Sequence, residues 1–170
     1  MRKQTDTKKL VMTALFTALI AVATAFIQFP NGSGGNVNAG DALIFATAAC
    51  LGSWAVLPAA LGSVLGDLLL TYTLYAPATL IIKGVMAFVC LQLMKRLTKD
   101  HAPLPIWKVA LIYALSECIM IAGYFLYEWF LYQWPAPLIG LGGNAIQAAF
   151  GIVAGTALYP LMVRFRSKLL

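Results

Sequence analysis

Long apolar stretches, interrupted by short polar segments, dominate the pattern of this chain. They cover residues 10–28, most of 42–94 and most of 109–163. A transmembrane helix needs about 20 predominantly apolar residues to cross a ~30 Å hydrocarbon core. The pattern therefore predicts membrane-spanning helices. We interpret the first stretch as a helix rather than a cleaved signal peptide, because it is unbroken by charge and long enough to span.

The basic residues indicate how these helices are oriented. Eleven of the twelve lie in three clusters between or outside the apolar stretches: Arg2, Lys3, Lys8 and Lys9; Lys95, Arg96, Lys99 and Lys108; and Arg164, Arg166 and Lys168. Cytoplasmic loops carry an excess of Lys and Arg. The clusters therefore predict that both termini and the segment around residues 95–108 are cytoplasmic.

This orientation fixes whether each apolar stretch crosses the membrane an odd or an even number of times. One crossing fits the first stretch, three of about 17 residues fit the second, and two fit the third. The predicted breaks are at Gly52-Ser53, between Tyr72 and Pro77, and at residues 133–137. We predict one all-α membrane domain over residues 1–170, a compact six-helix bundle. Its helices span 9–28, 41–52, 54–74, 77–97, 106–132 and 138–165, with an outer lid loop at 29–40.

Composition supports a membrane protein and argues against several other classes. The chain is 61% hydrophobic and 11% charged, whereas soluble domains carry about 25% charged residues. Its net charge of +6 does not indicate nucleic-acid binding, because the basic residues are juxtamembrane. Cys50, Cys90 and Cys118 lack metal-ligand spacing, so we expect buried free thiols and no metal site. No ATP-binding P-loop motif is present.

Ionisable and amide residues at membrane depth are the candidates for function, because such groups are costly there. Helical rise places Asp67, Lys83 and Asn144 at a similar level in the outer half of the bundle. Gln147 lies one turn deeper than Asn144. The spacing of seven and four residues puts three more side chains on one helix face: Glu117, Tyr124 and Glu128. Together they predict a pocket for a small polar ligand that opens outward.

The lid loop lies over this predicted pocket. It is rich in Gly and Asn, and we expect Asn36 and Asn38 to contact a ligand and the loop to order on binding. Asp41 is expected to anchor the following helix at its N-terminus. An alternative interpretation of the polar set is a purely structural ion pair between Asp67 and Lys83.

Four stretches resemble a known family. They are Asn38-Ala-Gly-Asp41, Gly62-Ser-Val-Leu-Gly-Asp67-Leu-Leu, Ile82-Lys83-Gly84, and Asn144-Ala-Ile-Gln147 followed by Gly151 and Gly155. With the Ala14, Ala18, Ala21 and Ala25 stripe of the first helix, the chain is similar to the S component of energy-coupling factor (ECF) vitamin transporters. It resembles the branch that handles hydroxymethylpyrimidine, vitamin B6 and riboflavin-like substrates.

The resemblance implies a function and partners. An S component binds a vitamin from outside, docks on a membrane scaffold subunit through Ala14 and Ala18, and depends on two partner ATPases for release. The chain itself would then be no enzyme and need no cofactor, and it would lie in a prokaryotic plasma membrane. Hydroxymethylpyrimidine-type and pyridoxine-type ligands both fit the predicted pocket, and riboflavin is a third candidate.

Two other classes of protein remain as alternatives. An autonomous proton-coupled carrier would use Asp67, Glu117 or Glu128, although carriers usually show two structural repeats and none is clear here. An intramembrane enzyme would need paired acidic residues at i, i+3 or i+4 to hold a metal, and the chain has no such pair within its apolar segments.

Overall fold

The computed structural model describes residues 2–30, 36–98 and 102–169. These residues form α1 (Arg2–Phe26), α2 (Gly40–Leu51), α3 (Val56–Leu69), α4 (Ala76–Leu97), α5 (Ile106–Tyr132) and α6 (Ala136–Leu169). A 3-10 helix, Gly52–Ala55, joins α2 to α3. Two short strands, β1 (Gln28–Pro30) and β2 (Asn36–Asn38), pair as an antiparallel hairpin. The sequence pattern did not predict this hairpin within the lid segment.

The helices are apolar enough to span a membrane, but α2 and α3 are short. Five helical stretches of the described chain have the length and composition of a span, with Gly40–Leu69 counted as one. The 12 residues of α2 rise only about 18 Å, less than a ~30 Å core. Gly52, with φ of 57°, interrupts the helical path between α2 and α3. Asp41 at the start of α2 and Asp67 near the end of α3 line the same cavity, at one end of the bundle. Gly52, between these two helices, lines a different cavity at the other end. The chain therefore reverses direction at Gly52.

Some helix ends differ from the predicted bounds. The first helix begins at Arg2 rather than at residue 9, and α3 ends at Leu69 rather than at 74. After α3, Thr71 adopts a left-handed φ of 63°, which stops the helix. The last helix continues to Leu169. The added residues of α1 and α6 include basic residues outside the apolar segments. Hydropathy does not indicate whether such polar residues are helical.

Glycines set the close approach of helices within the bundle. A Cβ on Gly62 would lie 2.8 Å from Ile20 Cβ, and one on Gly66 would lie 2.6 Å from Thr24 Cβ. At Gly155 it would lie 3.0 Å from the Phe45 ring. Gly62 and Gly66 of α3 are four residues apart, as are Gly151 and Gly155 of α6. These glycines allow α1 to pack closely against α3, and α2 against α6.

The predicted alanine stripe of α1 is divided in the structure. Ala14 and Ala18 are exposed, whereas Ala21 and Ala25 are buried. The division follows the neighbours of α1: α3 packs beside Ala21, where the Gly66 backbone approaches the Ala21 carbonyl. Cys118 also departs from the expectation of buried thiols, since it is exposed on α5 while Cys50 and Cys90 are buried.

Candidate functional site

A cavity of about 480 Å³ lies at the end of the bundle covered by the hairpin. It is bounded by residues of both strands and of all six α-helices. Eight of the nine side chains predicted to bind substrate line it: Asn36, Asn38, Asp67, Lys83, Tyr124, Glu128, Asn144 and Gln147. Residues predicted from helix depth, from helix face and from the lid loop therefore lie around one cavity.

Glu117 is the predicted residue that does not line this cavity. Its side chain is 1% exposed, and its carboxylate lies against the backbone of Gly151. Neither of its oxygens has a hydrogen-bond partner among the described residues. It is seven residues, almost two turns, from Tyr124 toward the core, where Ser116 and Met120 are also buried. Glu117 shares the predicted face but does not line the cavity, and its role in binding stays a prediction.

Lys83 is paired with Asp41 rather than with Asp67. Its Nζ lies 2.5 Å from Asp41 Oδ1, and this is the one ion pair among the described side chains. Asp41 occupies the first turn of α2, as predicted, but it points into the bundle and is 1% exposed. The alternative interpretation, an ion pair between Asp67 and Lys83, is therefore wrong, because the start of α2 places the Asp41 carboxylate beside Lys83.

Gln147 connects this ion pair to the hairpin. Its Nε2 donates to Asp41 Oδ2 at 2.8 Å and to the Asn38 carbonyl at 3.1 Å. Its Oε1 accepts from the Asn38 backbone N–H at 2.7 Å. One buried amide thus holds strand β2, α2 and α6 together. The Gly-rich part of the predicted lid, residues 31–35, lies outside the described residues.

Tyr124 forms an aromatic wall of the cavity. Its ring centroid lies 5.6 Å from Lys83 Nζ, within the range of a cation–π contact. Its hydroxyl shares a hydrogen bond of 2.9 Å with Thr79 Oγ1. The hydrogen bond holds the ring in place, and because Tyr124 lines the cavity, we expect a flat ligand to stack on it.

Two carboxylates in the cavity wall have buried oxygens without partners. Asp67 Oδ2 and Glu128 Oε2 accept no hydrogen bond from any described residue. Glu128 extends over Gly140, where a Cβ would overlap its carboxylate. A buried polar atom without a partner costs about 1–3 kcal/mol. Because Asp67 and Glu128 also line the cavity, we expect N–H or O–H donors of a ligand to approach their carboxylates.

The chain is similar to known proteins along most of its length. A family model described as ECF-type riboflavin transporter, S component, matches residues 4–164. The chain belongs to this S-component family. It is also 30% identical over 160 residues to the "Thiamine precursor transporter HmpT" of Lactococcus lactis subsp. cremoris (strain MG1363), covering 92% of this chain and 89% of that protein. The family indicated by the sequence resemblance is thus confirmed.

Sequence reasoning missed several residues that line the cavity of this S component. They are mainly small hydroxyl side chains and aromatics at the rim: Thr24, Ser63, Thr79, Tyr72, Tyr75 and Tyr132. A signal for two of them was present. Ser63 and Thr79 precede Asp67 and Lys83 by four residues, so each shares a helix face with a predicted site residue. No comparable local signal identified Asp41 as the partner of Lys83.

The charged side chains that line the cavity are mainly acidic. Within the described residues, no group of three His, Cys, Asp or Glu side chains is placed to hold a metal ion. The cavity presents three carboxylates, Asp41, Asp67 and Glu128, against the single cation Lys83. Such a lining favours neutral or cationic ligands that donate hydrogen bonds.

Proposed function

We propose that this S component captures a small nitrogen heterocycle, a vitamin or vitamin precursor of the hydroxymethylpyrimidine or pyridoxine type. Capture would take place in the cavity beneath the hairpin. Import would require a scaffold membrane subunit and two ATPase subunits that bind ATP, so the chain itself would carry no cofactor. A prokaryotic plasma membrane is the proposed location.

The pair of unpartnered carboxylate oxygens carries this proposal. Asp67 Oδ2 and Glu128 Oε2 lie in a cavity that also holds the fixed Tyr124 ring. A planar heterocycle with an amino group would stack on the ring and donate to a carboxylate. This favours the aminopyrimidine over pyridoxine, and the lactococcal relative is named as a thiamine precursor transporter. The cavity volume of about 480 Å³ falls within the ~300–1,000 Å³ range of small-molecule sites.

The proposed orientation has both termini in the cytoplasm and six crossings, with α2 and α3 as two short antiparallel ones. Supporting it, Lys9, Lys95 and Arg166 surround a second cavity at the opposite end of the bundle from the hairpin. Positive residues mark the cytoplasmic side, so the hairpin end would face outward. Cysteine labelling from either side of the membrane at Ser53 and Tyr72 tests this, and labelling of Ser53→Cys from outside would contradict it.

A binding titration tests the substrate class. We expect purified S component in detergent to bind hydroxymethylpyrimidine in calorimetry. Replacing the amino group of the ligand by a carbonyl oxygen should weaken binding by about tenfold or more, since a carboxylate would then lose its donor. Pyridoxine and riboflavin serve as the comparison ligands. Tighter binding of riboflavin than of either small ligand would overturn the proposed class.

A proton-coupled carrier is the second candidate, because Glu117 is a buried carboxylate without a described partner. Proteoliposomes with an imposed pH gradient separate the two functions. The proposed S component should bind its ligand but accumulate none until scaffold and ATPases are added. Gradient-driven accumulation by the chain alone, abolished by Glu117→Gln, would instead establish the carrier.

A further inference from the structure

A second cavity, of about 980 Å³, lies at the end of the bundle remote from the hairpin. The start of α1, the α2–α3 turn, and the ends of α4 and α6 surround it. Three cations from three different helices line it: Lys9, Lys95 and Arg166. No acidic side chain lines it among the residues that the structure describes.

The positive charge of this cavity is not paired with an acidic side chain among the residues that the structure describes. The one ion pair among described side chains is Lys83–Asp41, at the other end of the bundle. Lys95 Nζ donates instead to the neutral Ser53 Oγ at 2.9 Å. By sequence, eleven basic residues but only two acidic ones, Asp6 and Asp100, belong to this end of the protein. Cations gathered around a concave surface favour an anionic ligand.

The lining is amphipathic as well as basic. Beneath the charged rim the cavity is lined by apolar side chains, among them Leu51, Leu91, Met94 and Val163. At its flank Trp54 is 39% exposed, and the next-turn residue Leu57 is 51% exposed. Tryptophan is enriched at the membrane–water interface. The cavity therefore joins a phosphate-attracting rim to a surface that faces lipid.

We propose that this cavity binds the phosphate group of an anionic phospholipid from the cytoplasmic leaflet, given the orientation proposed above. Lys95 and Arg166 would hold the phosphate through charge-assisted hydrogen bonds, and the apolar lining would accept the glycerol and first acyl carbons. Basic pockets between transmembrane helices on the cytoplasmic side bind anionic headgroups in this way. Soluble phosphate offers the same headgroup chemistry without the acyl chains.

Native mass spectrometry of the protein in a neutral detergent, titrated with phosphatidylglycerol or phosphatidylcholine, tests the proposal. Lys95→Gln/Arg166→Gln should weaken phosphatidylglycerol binding by about tenfold. The matched control, Lys108→Gln/Arg164→Gln, removes the same charge from residues outside the cavity and should change it less than about twofold. Ser53→Asp, an exposed single change that repels phosphate, should reproduce the loss if the double variant does not fold.

Three outcomes would overturn it. Equal losses in the site and control variants would mean diffuse attraction without a site. Displacement of phosphatidylglycerol by millimolar inorganic phosphate would make a soluble anion the occupant. Unchanged lipid binding by Lys95→Gln/Arg166→Gln, together with failed assembly with the partner subunits, would assign the cavity to a protein. Selective loss of phosphatidylglycerol binding in the site variants, with the phosphatidylcholine background unchanged, supports the lipid.

Discussion

The two ends of the bundle use charge in opposite ways. At the hairpin end, the single cation Lys83 is buried and paired with Asp41 at 2.5 Å, and further carboxylates surround it. At the other end, Lys9, Lys95 and Arg166 line an open cavity without a described acidic neighbour. The first arrangement fixes helices and shapes a polar site, whereas the second leaves positive charge available at the membrane surface.

The same basic residue type has different requirements at the two ends of the bundle. A buried charge must be paired, because its desolvation costs several kcal/mol. A charge at the interface keeps its water, so position relative to lipid and partners matters more than pairing. Substitutions at the hairpin end should therefore change ligand binding and stability, whereas substitutions of the cations at the other end should change the binding of anionic groups more than stability.

The largest effect is expected at Ala14 on α1. Ala14→Trp should reduce uptake by the assembled transporter to background, because close helix approach to the scaffold needs small side chains. Ligand binding by the isolated subunit should persist, since Ala14 is exposed and does not line the cavity. Val153→Trp, at a 71% exposed position of α6, is the control and should retain uptake. The same result is expected at Ala18, and loss of binding with assembly intact would contradict the docking role.

The next largest effect is expected at Lys83. Lys83→Met leaves the Asp41 carboxylate buried without its cation, which should cost about 3–5 kcal/mol of stability and abolish measurable binding. Unfolding in detergent checks the stability. Lys83→Met/Asp41→Asn should recover much of it, because neither buried charge then lacks a partner. A wild-type melting temperature and affinity for the single variant would contradict the role of the pair.

Affinity should fall about tenfold or more in Asp67→Asn and in Glu128→Gln, because a hydrogen bond to a charged group contributes roughly 1.5–3 kcal/mol. Calorimetry with hydroxymethylpyrimidine measures this. Glu117→Gln is the matched control, since Glu117 is buried but does not line the cavity. If Glu117→Gln weakened binding as much as the other two, Glu117 would be a ligand contact after all.

The smallest effect is expected at the hairpin. Gln147→Ala removes the bonds that hold Asn38, and should speed ligand dissociation by about threefold to tenfold through loss of one or two hydrogen bonds. Hydrogen exchange at residues 36–38 should become faster. Asn144→Ala changes a cavity residue without touching the hairpin bonds, so it should weaken binding but leave that exchange unchanged. Equal exchange in both variants would mean that Gln147 does not hold the strand.

Much of this protein was accessible from the sequence. Apolar length and the spacing of basic residues predicted an all-helical membrane protein, and its family was recognised from short motifs. Helical rise put Asp67, Lys83 and Asn144 at one level, and they line one cavity. These inferences succeed because helix length, face and depth depend on residues close along the chain.

Only the tertiary structure decided which side chains reach the cavity and which carboxylate pairs with Lys83. Helical periodicity put Glu117 and Tyr124 on one face, yet only Tyr124 reaches the cavity, because the packing of α6 at Gly151 covers the deeper turn. Lys83 had several carboxylates at compatible depth, and the reversal of the chain at Gly52 together with the Gln147 bridge placed Asp41 nearest. Periodicity within a helix does not specify how the helix is rotated against its neighbours. That rotation depends on contacts between residues far apart in the sequence, here 42 positions for the ion pair and 106 for the bridge.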